Sequence, residues 1–299
     1  METAVNPPVG ERTQDVVLGF TIPARSGRGR VLRLGDALNV VLSAHDYPPR
    51  IATLLAEALV LAGLIGSALK GDEGQTTLQA RGEGGPVSLL VCDYRAGELR
   101  GYVGFDRAAE LADDADLAAL FGEGYLAVTI DRAHGKERYQ GIVEMKGAGL
   151  AEAAERYFAS SEQIPTLVRT NVRWTDRGWT AGGLLLQHLG RQEEGGERLH
   201  VSEEREDWAH LEALGELVQP DELTDDGLQL ETLLWRLFNE DEVRIIPPVP
   251  LSRGCRCSVT MIEDRLGTLP EDQRAEIRDD DGLTRVDCEF CNRQFEVRV

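Results

Sequence analysis

The stretch RGCRC, residues 253–257, places two cysteines one residue apart in a chain of 299 residues that has only 5 cysteines. A second close pair, CEFC at 288–291, follows after residues 258–287. Two close pairs on a chain long enough to fold back can bring four thiolates together as a tetrahedron, the arrangement of structural zinc sites. No histidine lies between residues 211 and 299, which excludes a mixed site there. The sequence therefore predicts one Zn²⁺ held by Cys255, Cys257, Cys288 and Cys291.

The segment around these cysteines has few apolar side chains for its length. Those of residues 251–299 include Met261, Ile262, Leu266, Ile277, Phe290 and Phe295. Below roughly 70 residues, a hydrophobic core seldom suffices without a staple such as a metal ion. We therefore expect metal binding and folding of this segment to be one equilibrium, in which zinc contributes on the order of 10 kcal/mol or more.

The same cysteines are also suited to redox chemistry. Thiolates held by a metal and flanked by Arg253, Arg256 and Arg293 stay deprotonated, which is the form that oxidants attack. An oxidised sulfur in either pair has a second thiol close by in sequence, as a reversible switch requires. A purely structural zinc site is the alternative, since most four-cysteine sites are structural. The remaining thiol, Cys92, lies in a strand-like run and is interpreted as a small buried side chain.

The charge of the chain is strongly negative and unevenly spread. The formal net charge is −20, and residues 193–242 alone hold 17 Asp and Glu against 3 Arg, a local charge of −14. Such a surface repels phosphate backbones and anionic lipid, so neither nucleic acid nor a membrane is predicted as a partner. The polar N-terminus METAVNPPVGERTQD lacks the apolar region of a secretory signal, which predicts a cytoplasmic protein. In that compartment grouped cysteines bind metal or sense redox state more often than they form permanent disulfides.

The pattern along the chain predicts an α+β protein in four segments. They are a flexible N-terminus at 1–15, an α+β core domain at 16–192, an acidic helical linker at 193–245 and a redox-switch zinc-binding domain at 246–299. In the core domain we expect antiparallel β-hairpins with packed helices.

Two stretches of the core domain, 85–105 and 124–145, share one plan of strand, Asp, turn and strand. They predict two similar hairpins, and a third strand pair is expected at 166–189. Helices are expected at 106–121 and 150–164.

A further helix is expected at 51–70, which is apolar and long enough to span a bilayer. Glu57 and the two glycines within it fit a buried core helix better.

The acidic linker has the 3.6-residue period of two amphipathic helices. The apolar positions of the first are Trp208, Leu211, Leu214 and Val218, and those of the second are Leu230, Leu233, Leu234, Leu237 and Phe238. The proline-rich run 246–250 that follows predicts a short stiff connector, because each proline fixes φ and removes an N–H donor.

With these motifs the chain resembles the 33 kDa chaperonin family, the redox-regulated heat-shock chaperones of the cytosol. The C-x-C and C-x-x-C motifs with their thirty-residue gap carry the resemblance most specifically. Other stretches that look like family landmarks are HDYPP (45–49), GPVSLLV (85–91), LRGY (99–102), GYLAVTID (124–131), ERYQGIV (137–143), SSEQIPT (160–166), AGGLLLQ (181–187) and LLWRLFNEDEV (233–243). The resemblance extends from about residue 16 to the end and is weakest at 193–207.

The resemblance implies an ATP-independent holdase that is inactive while reduced and zinc-bound. Oxidants would join Cys255 with Cys257 and Cys288 with Cys291 as disulfides and expel the zinc. The zinc-binding domain would then unfold, the linker would loosen, and a homodimer would bind unfolding proteins during oxidative stress. We expect the client-binding residues to include Leu230, Leu233, Leu234, Leu237 and Phe238.

Three other classes of protein are alternatives to this interpretation. No P-loop, G-x-G-x-x-G or G-x-S-x-G motif is present, so an enzyme is not predicted. A zinc-ribbon nucleic-acid binder should be basic, whereas residues 251–299 hold 8 Arg and 11 acidic residues. The nucleic-acid binder and a constitutive zinc-stapled adaptor protein both stay open as alternatives, and the activity of the adaptor would not change on oxidation.

Overall fold

The structure is a computed structural model that describes residues 14–68, 74–131, 138–189, 201–279 and 281–298. Most of the N-terminus predicted to be flexible, residues 1–13, lies outside the described residues. The described residues form thirteen strands: β1 (Val16–Ile22), β2 (Gly27–Leu34), β3 (Gln75–Gly84), β4 (Val87–Arg95), β5 (Glu98–Phe105), β6 (Gly122–Asp131), β7 (Arg138–Glu144), β8 (Thr166–Thr175), β9 (Gly178–His188), β10 (Arg244–Pro250), β11 (Ser252–Arg253), β12 (Thr284–Asp287) and β13 (Gln294–Val297).

Nine α-helices occur in the same described residues: α1 (Asp36–Leu42), α2 (Pro49–Gly66), α3 (Leu117–Phe121), α4 (Leu150–Tyr157), α5 (Val201–Glu216), α6 (Pro220–Thr224), α7 (Leu230–Phe238), α8 (Val259–Gly267) and α9 (Glu271–Glu276). Three names are used below. The core is β1–β9 with α1–α4, the linker helices are α5, α6 and α7, and the C-terminal module is residues 252–298.

The first sheet joins β10 to four strands of the core, all antiparallel, in the order β10-β1-β2-β9-β8. Successive side chains of a strand point to opposite faces, so Val17 of β1 faces one side and Leu18 and Phe20 face the other. One face packs on α2, and the other, the linker-facing face, packs on the linker helices.

The second sheet has six strands in the order β11-β5-β4-β3-β6-β7. The two hairpins predicted from the repeated plan, β4–β5 and β6–β7, lie on either side of β3. The β4–β5 turn has Ala96 at φ 50° and Gly97 at φ 83°. Positive φ at both central residues matches the right-handed twist of the flanking strands, and glycine adopts it without strain.

Helix α2 lies between the two sheets and is apolar on nearly every side. By length and composition alone it could cross a membrane, but 78% of its residues are buried inside the protein. Its one acidic residue, Glu57, accepts a hydrogen bond at 3.0 Å from the amide of Ala151 in the first turn of α4. A carboxylate stabilises a helix N-terminus, so this buried acid fixes α4 against α2.

Three local expectations differ from the structure. The helix expected over 106–121 is confined to α3, because the Asp116 carboxylate accepts from the Ala119 amide at 2.8 Å and caps a new helix there. The linker holds three helices instead of two, since Pro220 begins a short helix with a capping box between Gln219 and Glu222. The proline-rich connector is an edge strand, β10, paired antiparallel with β1. Proline is tolerated there because an edge strand has one side free of pairing.

Candidate metal centre

The four predicted cysteines converge at one point of the C-terminal module. The Sγ atoms lie 3.2 Å apart for Cys255 and Cys257, 3.6 Å for Cys255 and Cys288, and 3.5 Å for Cys257 and Cys291. All four sulfurs lie within 4.8 Å of one another. A tetrahedral site with metal–sulfur bonds of about 2.3 Å has edges of about 3.8 Å, so the cluster fits a zinc ion.

Each half of the cluster is set in place by backbone hydrogen bonds. Cys255 and Cys257 follow β11, which pairs in parallel with β5, and the Gly254 amide donates to the Leu99 carbonyl at 2.8 Å. Cys288 and Cys291 occupy a turn between β12 and β13.

In that turn the amides of Cys291 and Asn292 both donate to the Cys288 carbonyl, at 3.1 and 2.7 Å. Asn292 has φ 52°, a conformation that asparagine tolerates better than most residues. The turn brings both of its sulfurs into the shared cluster.

The apolar support of the module is small. In its described part, 252–279 and 281–298, the apolar cluster has three buried members, Ile262, Phe295 and Val297. Cys257 and Cys288 pack against this cluster with Leu266 and Val286. The sulfur cluster is therefore continuous with the module's only group of buried apolar side chains in the residues that are described.

The cysteine environment disfavours four free thiolates. Burial and then the neighbouring thiols raise the pKa of Cys257, and burial likewise raises the pKa of Cys288. Burial also favours the neutral thiol of Cys255, but hydrogen bonds from the Cys257 backbone and the adjacent thiols leave its pKa below the usual value. A bound divalent cation would supply the positive charge that lets all four sulfurs ionise.

Two of the arginines beside the cysteines have specific partners in the structure. Arg256 donates to the Gln75 side chain at 2.7 Å and lies 3.8 Å from Glu98, both on the core. Arg293 lies over the Phe295 ring at 5.0 Å. These guanidinium groups dock and pack the module, and no sequence pattern indicated these partners.

The cysteine turn also contacts the core through residues that sequence reasoning did not select. The His45 Nε2 atom lies 2.7 Å from the Glu289 carbonyl oxygen, and the Arg100 guanidinium lies 4.2 Å from the centre of the Phe290 ring. The Tyr102 ring packs 5.6 Å from that of His45. The one signal that could have found them is their position in the landmark stretches HDYPP and LRGY.

The proposed client-binding residues are all buried in this structure. Leu230, Leu233, Leu234, Leu237 and Phe238 pack on the linker-facing face, where the Phe238 ring lies 5.8 Å from that of Phe20. The opposite side of α7 exposes Trp235, which is 67% accessible. In this state the apolar side of the helix is closed to other proteins.

A buried arginine of the core holds the linker in place through hydrogen bonds to the linker backbone. Arg33 of β2 is fully buried and donates to the carbonyls of Glu222, Leu223 and Leu228 at 2.9, 3.0 and 2.6 Å. Burial lowers its pKa to about 10. Its strand, VLRL, had no feature that would distinguish this arginine from an exposed one.

Comparison with known proteins identifies the class: a molecular chaperone. The family model described as Hsp33 protein matches residues 15–298, and the chain belongs to the Hsp33 family. A 33 kDa chaperonin from Caulobacter vibrioides is 42% identical over 297 residues, covering 95% of this chain and 94% of that protein. One from Escherichia coli is 35% identical over 269 residues, covering 90% and 87%.

The fold is shared as well. The crystal structure of the 33 kDa chaperonin of Thermotoga maritima superposes with a TM-score of 0.79 at 22% identity, covering 95% of both chains. The family resemblance and the α+β class with a small C-terminal four-cysteine module are thereby confirmed.

Proposed function

We propose that the protein is an ATP-independent holdase of the cytoplasm that oxidation switches on. The observation that carries the proposal is the convergence of four sulfurs within 4.8 Å in a module with three buried apolar side chains of its own. The segments 16–192, 193–245 and 246–299 would act as core, linker and switch. The absence of a P-loop from the sequence agrees with independence of ATP.

In the reduced state, Cys255, Cys257, Cys288 and Cys291 would hold one Zn²⁺. The ion supplies the positive charge that keeps the four sulfurs ionised and joins the two halves of the module. The resting form is then a folded module seated on the six-stranded sheet, with the linker helices closed on the core.

Oxidation by a peroxide would join Cys255 with Cys257 and Cys288 with Cys291. In each step two thiolates give two electrons to the peroxide, which takes up two protons and leaves as water while the S–S bond forms. The shortest of the sulfur separations given above, 3.2 Å, is that between Cys255 and Cys257. Sulfurs joined as disulfides carry no thiolate charge, so the module no longer binds a cation and loses its main source of stability.

The chain offers a direct route from the module to the linker. Strand β10 follows α7 by a few residues, and its neighbour Leu251 is buried in the core with its amide donating to the Asp15 carbonyl at 2.7 Å. Unfolding of the module would remove the pairing of β11 with β5 and free this end of the linker. The apolar side of α7 could then leave the core.

Clients would bind the apolar surfaces that this opening uncovers. Contiguous exposed apolar area marks a protein interaction site, and an unfolding protein offers apolar segments to match it. The linker charge of −14 over residues 193–242 would keep the opened protein soluble. We propose that the opened form is a homodimer.

The proposal is tested by oxidising the zinc-loaded protein with peroxide under mild heat, or with hypochlorite. Zinc release, thiol count and suppression of aggregation of a denatured client are followed together, without ATP. We expect zinc to leave, four of the five thiols to disappear and suppression to begin together, while Cys92, which is fully buried, stays reduced. Loss of zinc and thiols without any suppression would contradict the proposal, and suppression that is unchanged by oxidation would favour a constitutive adaptor.

A further inference from the structure

The linker-facing face is an apolar floor provided by four strands of the core. Its members are Val16, Leu18, Phe20, Ile22, Val31, Leu167, Leu184 and Leu186. The linker helices cover it with their own apolar side chains, and they are strongly acidic elsewhere. The floor therefore already binds one kind of partner, an acidic amphipathic helix.

Arginines of the core stand around this floor and pair with linker carboxylates. Arg25 lies 2.9 Å from Asp207 and 3.2 Å from Asp241, Arg169 lies 3.3 Å from Glu216, Arg173 lies 3.9 Å from Asp221, and Arg177 lies 2.6 Å from Asp226. In all five of these ion pairs the cation belongs to the core and the carboxylate to the linker. In these ion pairs of the described residues, the positive charge therefore always lies on the core side of the contact.

Strand β8 places two of these positive charges directly beside the apolar side chains of the floor. Leu167, Arg169, Asn171 and Arg173 alternate along the strand and so share one face. Arg169 and Arg173 contact linker carboxylates, and the Asn171 side chain donates to the Thr224 hydroxyl at 3.0 Å. Arg169 also pairs with Glu155 of the core at 2.9 Å, which orients its guanidinium beside the floor.

We infer that the uncovered floor selects client segments that form an apolar helix face flanked by carboxylates. The inference rests on the proposed function, because the floor is free only after the linker opens. A helix laid in an apolar groove is read through its anchors at i, i+3, i+4 and i+7, and the flanking charges decide which helices are accepted. The linker helices already have these two features, an apolar face on the floor and carboxylates beside it.

The net charge of the whole chain would favour basic client segments instead of acidic ones. A net charge of −20 attracts basic polypeptides at long range. Contacts at the floor are 2.6 to 3.9 Å long, well inside the screening length of about 10 Å at 0.1 M salt. The local arginines therefore decide which bound helix is more stable.

The test uses two fluorescent helical peptides with identical apolar positions, one flanked by Glu and the other by Lys. Their dissociation constants are measured by anisotropy on the oxidised, zinc-free full-length protein. We expect the Glu peptide to bind about tenfold more tightly at low salt, which is the combined effect of about three ion pairs of ordinary surface strength. The preference should shrink at about 0.5 M salt. Equal affinities, or a preference for the Lys peptide, would overturn the inference.

Two matched double variants locate the effect. Arg169→Gln with Arg173→Gln should reduce the preference to about threefold or less. Arg81→Gln with Arg138→Gln changes the net charge equally on the six-stranded sheet and should leave the preference unchanged. Equal loss in both variants would show that overall charge, not the floor, sets the preference.

Suppression of client aggregation in the same oxidised preparation tests the holdase function separately from the charge selection. If suppression is present and the peptides bind equally, the charge selection is wrong and the holdase function stands. If suppression is absent, the holdase function is wrong and the charge selection falls with it.

Discussion

Arg33 shows how much a single side chain can contribute to holding the linker closed. Its guanidinium is buried and is satisfied by three backbone carbonyls at the end of α6 and beyond it. Buried hydrogen-bonding groups that lose their partner cost about 1 kcal/mol or more each. The side chain therefore stabilises the closed linker through three bonds to the linker backbone.

We expect Arg33→Met to weaken linker docking by about 2 to 4 kcal/mol, because methionine fills the space and leaves three carbonyls unpaired. Hydrogen exchange of the amides at 221–230 in the reduced protein measures the effect. The variant should also suppress aggregation partly without oxidation. Arg81→Met, at an exposed position on β3, is the control, and unchanged exchange at 221–230 in Arg33→Met would contradict this role.

Glu57 makes a pH-dependent contribution to the stability of the core. Burial raises the pKa of its carboxyl above the ordinary 4.5, although hydrogen bonds from the amides of α4 and from Thr170 and the charge of Arg50 oppose the shift. A folded-state pKa above the unfolded value stabilises the fold fully below the unfolded pKa, and that contribution is lost as the pH rises through the folded pKa.

We therefore expect Glu57→Gln, which does not titrate, to gain stability relative to the unchanged protein as the pH rises from about 5 to about 8. Denaturant unfolding of the reduced, zinc-loaded protein at both pH values measures the difference. A difference that is constant with pH, or that moves the other way, would contradict a Glu57 pKa raised by burial.

Helix α7 is the element through which we propose that clients bind. Its apolar side is buried on the floor and its other side exposes Trp235, so one helix provides both test and control. Replacing Leu233, Leu237 and Phe238 with serine should weaken suppression of aggregation by the oxidised protein several-fold, because the uncovered apolar area is lost.

Trp235→Ser is the control for α7, since this large apolar side chain is already exposed in the closed state and is not uncovered by oxidation. The comparison is made after full oxidation, because the triple variant also loosens the closed linker. Equal suppression by the oxidised triple variant and the unchanged protein would remove α7 from the client-binding surface.

Elements with strong local patterns could be predicted from the sequence. The β4–β5 hairpin turns where expected, strands β6 and β7 pair as expected, and α2 is apolar enough to be recognised as buried. The cysteine cluster was predictable because paired cysteines on a returning chain have few other arrangements.

Elements decided by distant contacts could not be predicted. Strand β10 is rich in proline and becomes a strand only because the edge of β1 is there to pair with it. Phe290 and Arg100 are far apart in sequence, and no local pattern around either residue indicates that they are in contact. Arg33 likewise looks like any arginine of an alternating strand until its strand is placed under the linker.

At the scale of the whole molecule, stability is distributed unequally. The two sheets of the core enclose α2 in a large apolar cluster, whereas the described part of the C-terminal module has three buried apolar side chains and four sulfurs. A small module of this kind gains most of its folding free energy from the metal. Under the proposed function, one chain thus combines a stable part with a part whose order would depend on thiolate chemistry.

The most direct test of this account is hydrogen exchange of the reduced protein before and after zinc is removed with a chelator, with all thiols kept reduced. We predict that amides of residues 255–298 lose their protection when zinc is removed, while amides of β2, β4 and β9 keep theirs in the same sample. A module that stays protected without metal while fully reduced, or native preparations that contain no metal, would contradict the claim that the four-sulfur site holds the switch closed.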